Sequence, residues 1–140
     1  MRFWLVGALA VLVQGCGGGG SVADPSTCKF QGAKPMLVAE MAFGRNVKGG
    51  PGVSDADWAD FQRETLTRQF PDGMTVLDAV GQWSDPRAKR MVSEQSKFVL
   101  LAAPDTQATA QALRSVTDAY KRRFGQDSVM VIVNQRCVAF

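Results

Sequence analysis

From residue 36 to the C-terminus the apolar positions switch between a two-residue and a helical period. Residues 36–43 are apolar apart from Glu40, and Pro35 just before them suits a strand start. Residues 44–53 carry a run of glycines and Pro51, which reads as a loop. Ser54 then stands as an N-cap, with Asp57 as a short-armed capping-box partner. Asp55 and Asp57 fall in the first turn, where the helix dipole favours anions. Trp58, Phe61, Thr65 and Leu66 recur at helical spacing until Pro71-Asp72-Gly73 signals a turn. Residues 74–83 alternate as a strand. Residues 89–103 predict its hairpin partner, with 98–103 as the apolar centre. Pro104 stops that strand, and Asp105 or Thr106 caps a second helix. Leu113, Val116, Tyr120 and Phe124 form one face of it, and Gly125 is a natural C′ residue. Residues 128–133 predict the last strand.

The order is β-α-β-β-α-β, the split pattern of an α+β, ferredoxin-like fold. Right-handed crossovers then give a four-stranded antiparallel sheet with two helices on one face. The expected strand order, 4-1-3-2, makes the first and last strands antiparallel neighbours. Cys28 precedes the first and Cys137 follows the last, so topology brings the two thiols to one side. Their pairing as a disulfide is expected; two buried free thiols are the alternative. A bridge across so long a loop is worth about 4–5 kcal/mol in the chain-entropy model.

Before the domain, Arg2 and the apolar run Phe3–Val13 read as a secretion signal, too short to span a ~30 Å hydrocarbon core. Val13-Gln14-Gly15-Cys16 resembles the bacterial lipobox, in which the cysteine is lipidated and the peptide is cut just before it. This divides the chain into a signal peptide (1–15), a lipidated cysteine with a flexible tether (16–33) and a single domain (34–140). Gly17–Gly20 opens the tether, and residues 17–27 reach ~36 Å when extended at ~3.3 Å per residue. Two acyl chains on one residue anchor stably. Glycine rather than aspartate after Cys16 points to the outer membrane, facing the periplasm. The partner implied by Cys16 is therefore the membrane itself.

Composition mainly excludes. The formal net charge is +3, and Arg2 leaves with the signal. The only basic run, Lys121-Arg122-Arg123, sits at a helix end, where cations suit the dipole. No nucleic-acid partner is expected. The chain holds no histidine, so it has no Ser-His-Asp or Cys-His arrangement and no His-based zinc site. It has neither a Walker loop nor a dinucleotide fingerprint. No cofactor and no metal are expected.

Several segments carry a family resemblance over residues 36–140. They are Phe43-Gly44; Trp58 and Phe61; the run from Thr67 to Asp78 through Pro71-Asp72-Gly73; Gly81-Gln82-Trp83; Glu94-Gln95-Ser96-Lys97; and the run from Tyr120 to Val129. Together they resemble the domain-of-unknown-function 3574 family of bacterial secreted and lipid-anchored proteins. One segment departs from the pattern. Where the family often reads Thr-Pro-Arg-Phe-Pro, this chain has Thr67-Arg68-Gln69-Phe70-Pro71, with the arginine moved to Arg68. The resemblance implies an envelope domain and assigns it no activity.

Strand parity isolates one polar set. Leu37, Ala39, Met41 and Phe43 make the expected helix-packed face of the first strand, leaving Glu40 on the open face. With Asp78 and Gln82 on the second strand and Lys97 and Val99 on the third assigned to the same side, Glu40, Asp78, Gln82, Lys97 and Val99 become the ligand or interface candidates. Two functions are weighed. One is a lipid-anchored periplasmic module that binds a protein partner or itself. The other is a small-molecule enzyme or ligand-binding protein using that polar cluster. A broad, partly apolar open face favours the first, and a concave polar pocket the second.

Overall fold

The computed structural model describes residues 28–47, 50–85 and 89–140. Its elements follow the sequence order. Strand β1 (Lys34–Gly44) leads to helix α1 (Asp55–Phe61), which continues through a π-helical turn (Gln62–Leu66) into α2 (Thr67–Gln69). Strands β2 (Thr75–Asp85) and β3 (Arg90–Ala103) form the hairpin, followed by α3 (Gln107–Phe124) and β4 (Met130–Val138). All neighbouring strands are antiparallel, in the order β2-β3-β1-β4. This is the ferredoxin-like α+β arrangement, with the helices on one face of the sheet. Among the described residues no helix is long and apolar enough to cross a membrane.

Local chemistry explains the helix ends. The Ser54 hydroxyl accepts from the Asp57 amide at 3.1 Å, and the Asp57 carboxylate accepts from the Ser54 amide at 3.1 Å, which closes the capping box. The Ser54 hydroxyl also donates to the Asp57 carboxylate at 2.6 Å, and that bond, followed by the one from the Ser54 amide, holds the Asp57 carboxyl below the usual carboxylate range. Thr106 caps α3 by accepting from the Thr109 amide, and Gly125 ends it in the left-handed conformation at φ 62°. Strand β4 runs further than expected. Its polar second half, Asn134 to Arg136, looks like a tail in sequence, yet pairs with β1 as far as Lys34↔Val138.

The core lies between sheet and helices. Leu37, Ala39, Met41 and Phe43 from β1 meet Trp58, Phe61 and Leu66 from the first helical segment and Leu113, Val116 and Tyr120 from α3. Phe43 is its hub, with ring centroids 4.9 Å from Tyr120, 5.3 Å from Trp58 and 6.1 Å from Phe61. The Tyr120 hydroxyl donates to the Gly44 carbonyl at 2.8 Å, so this buried polar group is satisfied. Burial pushes its phenol above the ordinary tyrosine range. Cys28 and Cys137 form a disulfide, Cα to Cα 5.5 Å, which joins the chain before β1 to the end of β4.

The parity of β3 is the reverse of that read from sequence. Val99 pairs with Met41, and both are fully buried under the helices. It is a core residue and not part of the open face. The register passes the inversion to β2, because Val76 pairs with Val99 and Asp78 with Lys97. Since 98–103 is apolar throughout, alternation could not reveal which set faces the core, and a one-residue offset exchanges the faces of a whole strand. Val99→Asp is therefore expected to destabilise the domain by about 4 kcal/mol or more, since it strands a charge in a dry core. Chemical denaturation monitored by circular dichroism checks this; a variant that melts like the parent refutes the assignment.

Candidate functional site

Two surfaces result. On the helix side, the loop after β1 folds back on itself. Arg45 donates from Nε to the Val53 carbonyl at 2.7 Å and pairs with Asp55 at 2.9 Å. Lys97, one strand over, bonds Asp78 at 2.5 Å and approaches Asp55 at 3.5 Å. The Lys97 side chain is only 12% exposed, whereas those of Asp78 and Asp55 are 78% and 81% exposed. The cations are thus sunk into the protein and the carboxylates close over them from outside. The charges of this cluster are paired with one another, Arg45 with Asp55 and Lys97 with Asp78 and Asp55.

The polar set expected on one face is therefore divided. Asp78 and Lys97 are cross-strand partners, but on the helix side. Gln82 shares that parity further along the hairpin and is exposed. Glu40 lies alone on the opposite face, half-buried between its register partners Leu100 and Ile132, and among the described residues no side chain bonds its carboxylate. Cys16 lies outside the described residues.

Glu94 is a polar residue that sequence reading passed over. Its carboxylate accepts from the Asn46 amide at 2.9 Å and fills the space beside Gly44, where any Cβ would sit 2.5 Å from it. Gln126 bonds the Asn46 carbonyl at 2.6 Å from the other side. Gly44, the glycine that ends β1, was the available signal.

The open face is the second surface. Counting across the ladders, Leu77, Phe98, Ala42 and Met130 form one row, and Thr75, Leu100, Glu40 and Ile132 the next. Leu77 is 53% exposed, Met130 50%, Ile132 41% and Leu100 39%. Large apolar side chains are exposed on β2, β3 and β4, with Ala42 and Glu40 of β1 between them, and Glu40 is the single ionisable member of these two rows. At their foot, a groove of about 400 Å³ runs between the Pro-Asp-Gly turn and the C-terminal tail, lined by Val38, Thr75, Leu100, Ala102, Val138 and Phe140 among others.

A family model described as protein of unknown function (DUF3574) matches residues 38–140. The chain belongs to this family. No curated protein matches it. Among solved structures it is similar to a phage SAM lyase in complex with S-methyl-5'-thioadenosine (15% identity, 75% of this chain and 90% of that chain, TM-score 0.58). The phage SAM lyase in its apo state is also similar (14% identity, 76% and 90%, TM-score 0.54). So is CPII, a nitrogen regulatory PII-like protein from Thiomonas intermedia K12 bound to ADP, AMP and bicarbonate (16% identity, 77% and 97%, TM-score 0.48). Likeness at such identities concerns the fold alone.

The ion-pair cluster of this DUF3574 domain has a defined pH signature. The hydrogen bond from Lys97, and then its charge, hold the Asp78 carboxyl below the usual carboxylate range. A depressed carboxyl contributes stability above its unfolded pKa of about 3.9, and that contribution is lost as pH falls through the folded value. In a carboxyl-detected NMR titration Asp78 should titrate below 3.8. In Lys97→Met it should return to the ordinary range. An unchanged midpoint in that variant would show that the pair is not formed.

Proposed function

We propose that this chain is a lipid-anchored domain of the cell envelope that acts by association, taking a protein partner or another copy of itself on the open sheet face. The supporting observation is the apolar belt of Leu77, Leu100, Met130 and Ile132, exposed on a face that carries no helix. Contiguous exposed apolar surface beyond a few hundred Å² marks an interaction site. The alternative of a small-molecule site built on one polar cluster has less support, because Glu40 is on the other face from Asp78 and Lys97, which pair with each other.

The anchor follows from Val13-Gln14-Gly15-Cys16, with lipid on Cys16 and the outer membrane as its place. Residues 17–33 tether the domain so that it faces the periplasm. Confinement to a surface raises the effective concentration of such domains and favours weak contacts between them.

Two measurements test this reading. Cys16→Ser should release the chain from membranes or leave it unprocessed; fractionation and migration identical to the parent would remove the anchor. Leu100→Asp combined with Ile132→Asp should keep the thermal melt of the parent while abolishing its complex, with apparent affinity falling at least tenfold. Sedimentation velocity of the full chain in mild detergent reads this directly. A folded double variant that keeps the parent's complex, read by sedimentation for a second copy or by co-purification from crosslinked cells for another protein, would defeat the association function.

A further inference from the structure

We propose that the outer edge of β4 pairs with the β4 edge of a second copy of this chain, antiparallel about a two-fold axis, so that two sheets join into one. The contact runs along the edge of the sheet and does not depend on the open-face reading above.

The chemistry of the edge is the first observation. β4 is an outer strand, and β1 is its strand neighbour among the described residues. Every second residue of such a strand turns its N–H and C=O away from the sheet, toward water or another extended strand. Proteins blunt these edges with charged side chains, proline, bulges or a covering element. The run Met130-Val131-Ile132-Val133 carries no charge, proline or glycine. Its members are 50%, 37%, 41% and 50% exposed in that order. Met130 and Ile132 lie on the open side of the sheet, and Val131 and Val133 on the helix side. The strand is thus apolar and bare on both sides of its edge. The other outer strand, β2, has the exposed Asp78 and Gly81 in its middle, a charge and a weak point that both disfavour pairing.

The edge also restricts what can add to it. The occupant is an extended strand that is apolar toward both sides. Residues 17–27 of this chain hold four glycines and Pro25 and lack such a run. Pairing β4 of one copy with β2 of the next would leave free edges and continue without closure, whereas β4 against β4 is self-complementary and closes as a dimer. With the axis at Ile132, that residue faces its own copy, Val131 faces Val133 and Met130 faces Asn134, all within β4. Gln135, which bonds Asp105 at 3.1 Å, and the charged Arg136 fall beyond the paired segment.

The place where the tether leaves agrees with this arrangement. Cys28 is bridged to Cys137, and Cys137 follows Ile132 by five residues on the same strand. The two tethers therefore leave the joined edge about 34 Å apart, at ~3.4 Å per residue. An axis normal to the joined sheet brings both to one membrane at equal distance. On the anchor reading above, confinement to that membrane concentrates the edges.

The test is single-cysteine crosslinking of the full chain in intact cells, with copper phenanthroline as oxidant and mass mapping of the bridged peptides. Ile132→Cys should give a dimer bridged between the two copies of position 132. Val131→Cys and Val133→Cys should each give at least fivefold less alone, and a bridge between 131 and 133 when expressed together. Val80→Cys on β2 should give no dimer. Val131→Lys with Val133→Lys should lower the Ile132→Cys yield at least tenfold while the purified chain keeps the parent's circular dichroism. Leu100→Asp, which alters the open face alone, should leave that yield unchanged. Equal yields at 131, 132 and 133, a maximum away from 132, or a dimer from Val80→Cys would overturn the pairing. A yield lost in Leu100→Asp would move the contact to the open face, overturning the edge and leaving association there standing. Absence of a dimer from every β4 position would overturn the edge without touching the open-face reading.

Discussion

The contact between Phe43 and Tyr120 is the constraint on which the other features depend. It joins the last residues of β1 to the C-terminal turns of α3, and Trp58 and Phe61 pack around it. Because the Tyr120 hydroxyl also holds the Gly44 carbonyl, the end of β1 is fixed in position as well as buried. The loop that leaves Gly44 then has a defined direction. Arg45 reaches Val53 and Asp55, Asn46 meets Glu94, and Gln126 closes the other side. A hydrophobic contact thus organises a polar one, at the cost of a single buried hydroxyl that finds its acceptor.

The sheet has two faces of different character. One is packed by helices over β1 and β3, whose odd positions face the core, while Val131 and Val133 of the edge strand β4 stay exposed on that side. The other is apolar without being covered. An antiparallel sheet can leave one face to water, and such a face is normally polar. The apolar set on this domain breaks that pattern at register-matched positions on β2, β3 and β4. The exposed apolar set is therefore a property of the tertiary arrangement, not of any one segment.

Much of the architecture was legible because each element carried its own punctuation. Ser54 with Asp57, Thr106 and Gly125 marked helix ends, and Pro71-Asp72-Gly73 marked the turn into β2. The strand order and the Cys28–Cys137 pairing followed from topology. The faces were harder. In β1, Glu40 between aliphatic residues gives the parity away, whereas 98–103 is apolar at every position and is compatible with either face. Only the ladder partners decide, and these are set by contacts far apart in sequence. For the same reason the open-face belt was invisible: Leu77, Leu100 and Ile132 belong to different strands, and each alone looks like an ordinary core residue. The closed pairing of Asp78 with Lys97 was half visible, as a shared face, while the side of the sheet it occupies was not.

The disulfide has a mechanical meaning beyond its effect on the unfolded chain. Cys28 lies just ahead of β1 and Cys137 near the end of β4, and the two strands are hydrogen-bonded neighbours. A pull entering from the N-terminal side would otherwise peel Lys34 away from Val138 and open the ladder one pair at a time, the weakest way to load a sheet. With the bridge in place the load passes covalently into both strands at once. The hydrogen bonds beyond it then share the force instead of meeting it in sequence. The bridge thereby protects the β1–β4 ladder from unzipping under a load applied at the N-terminal side.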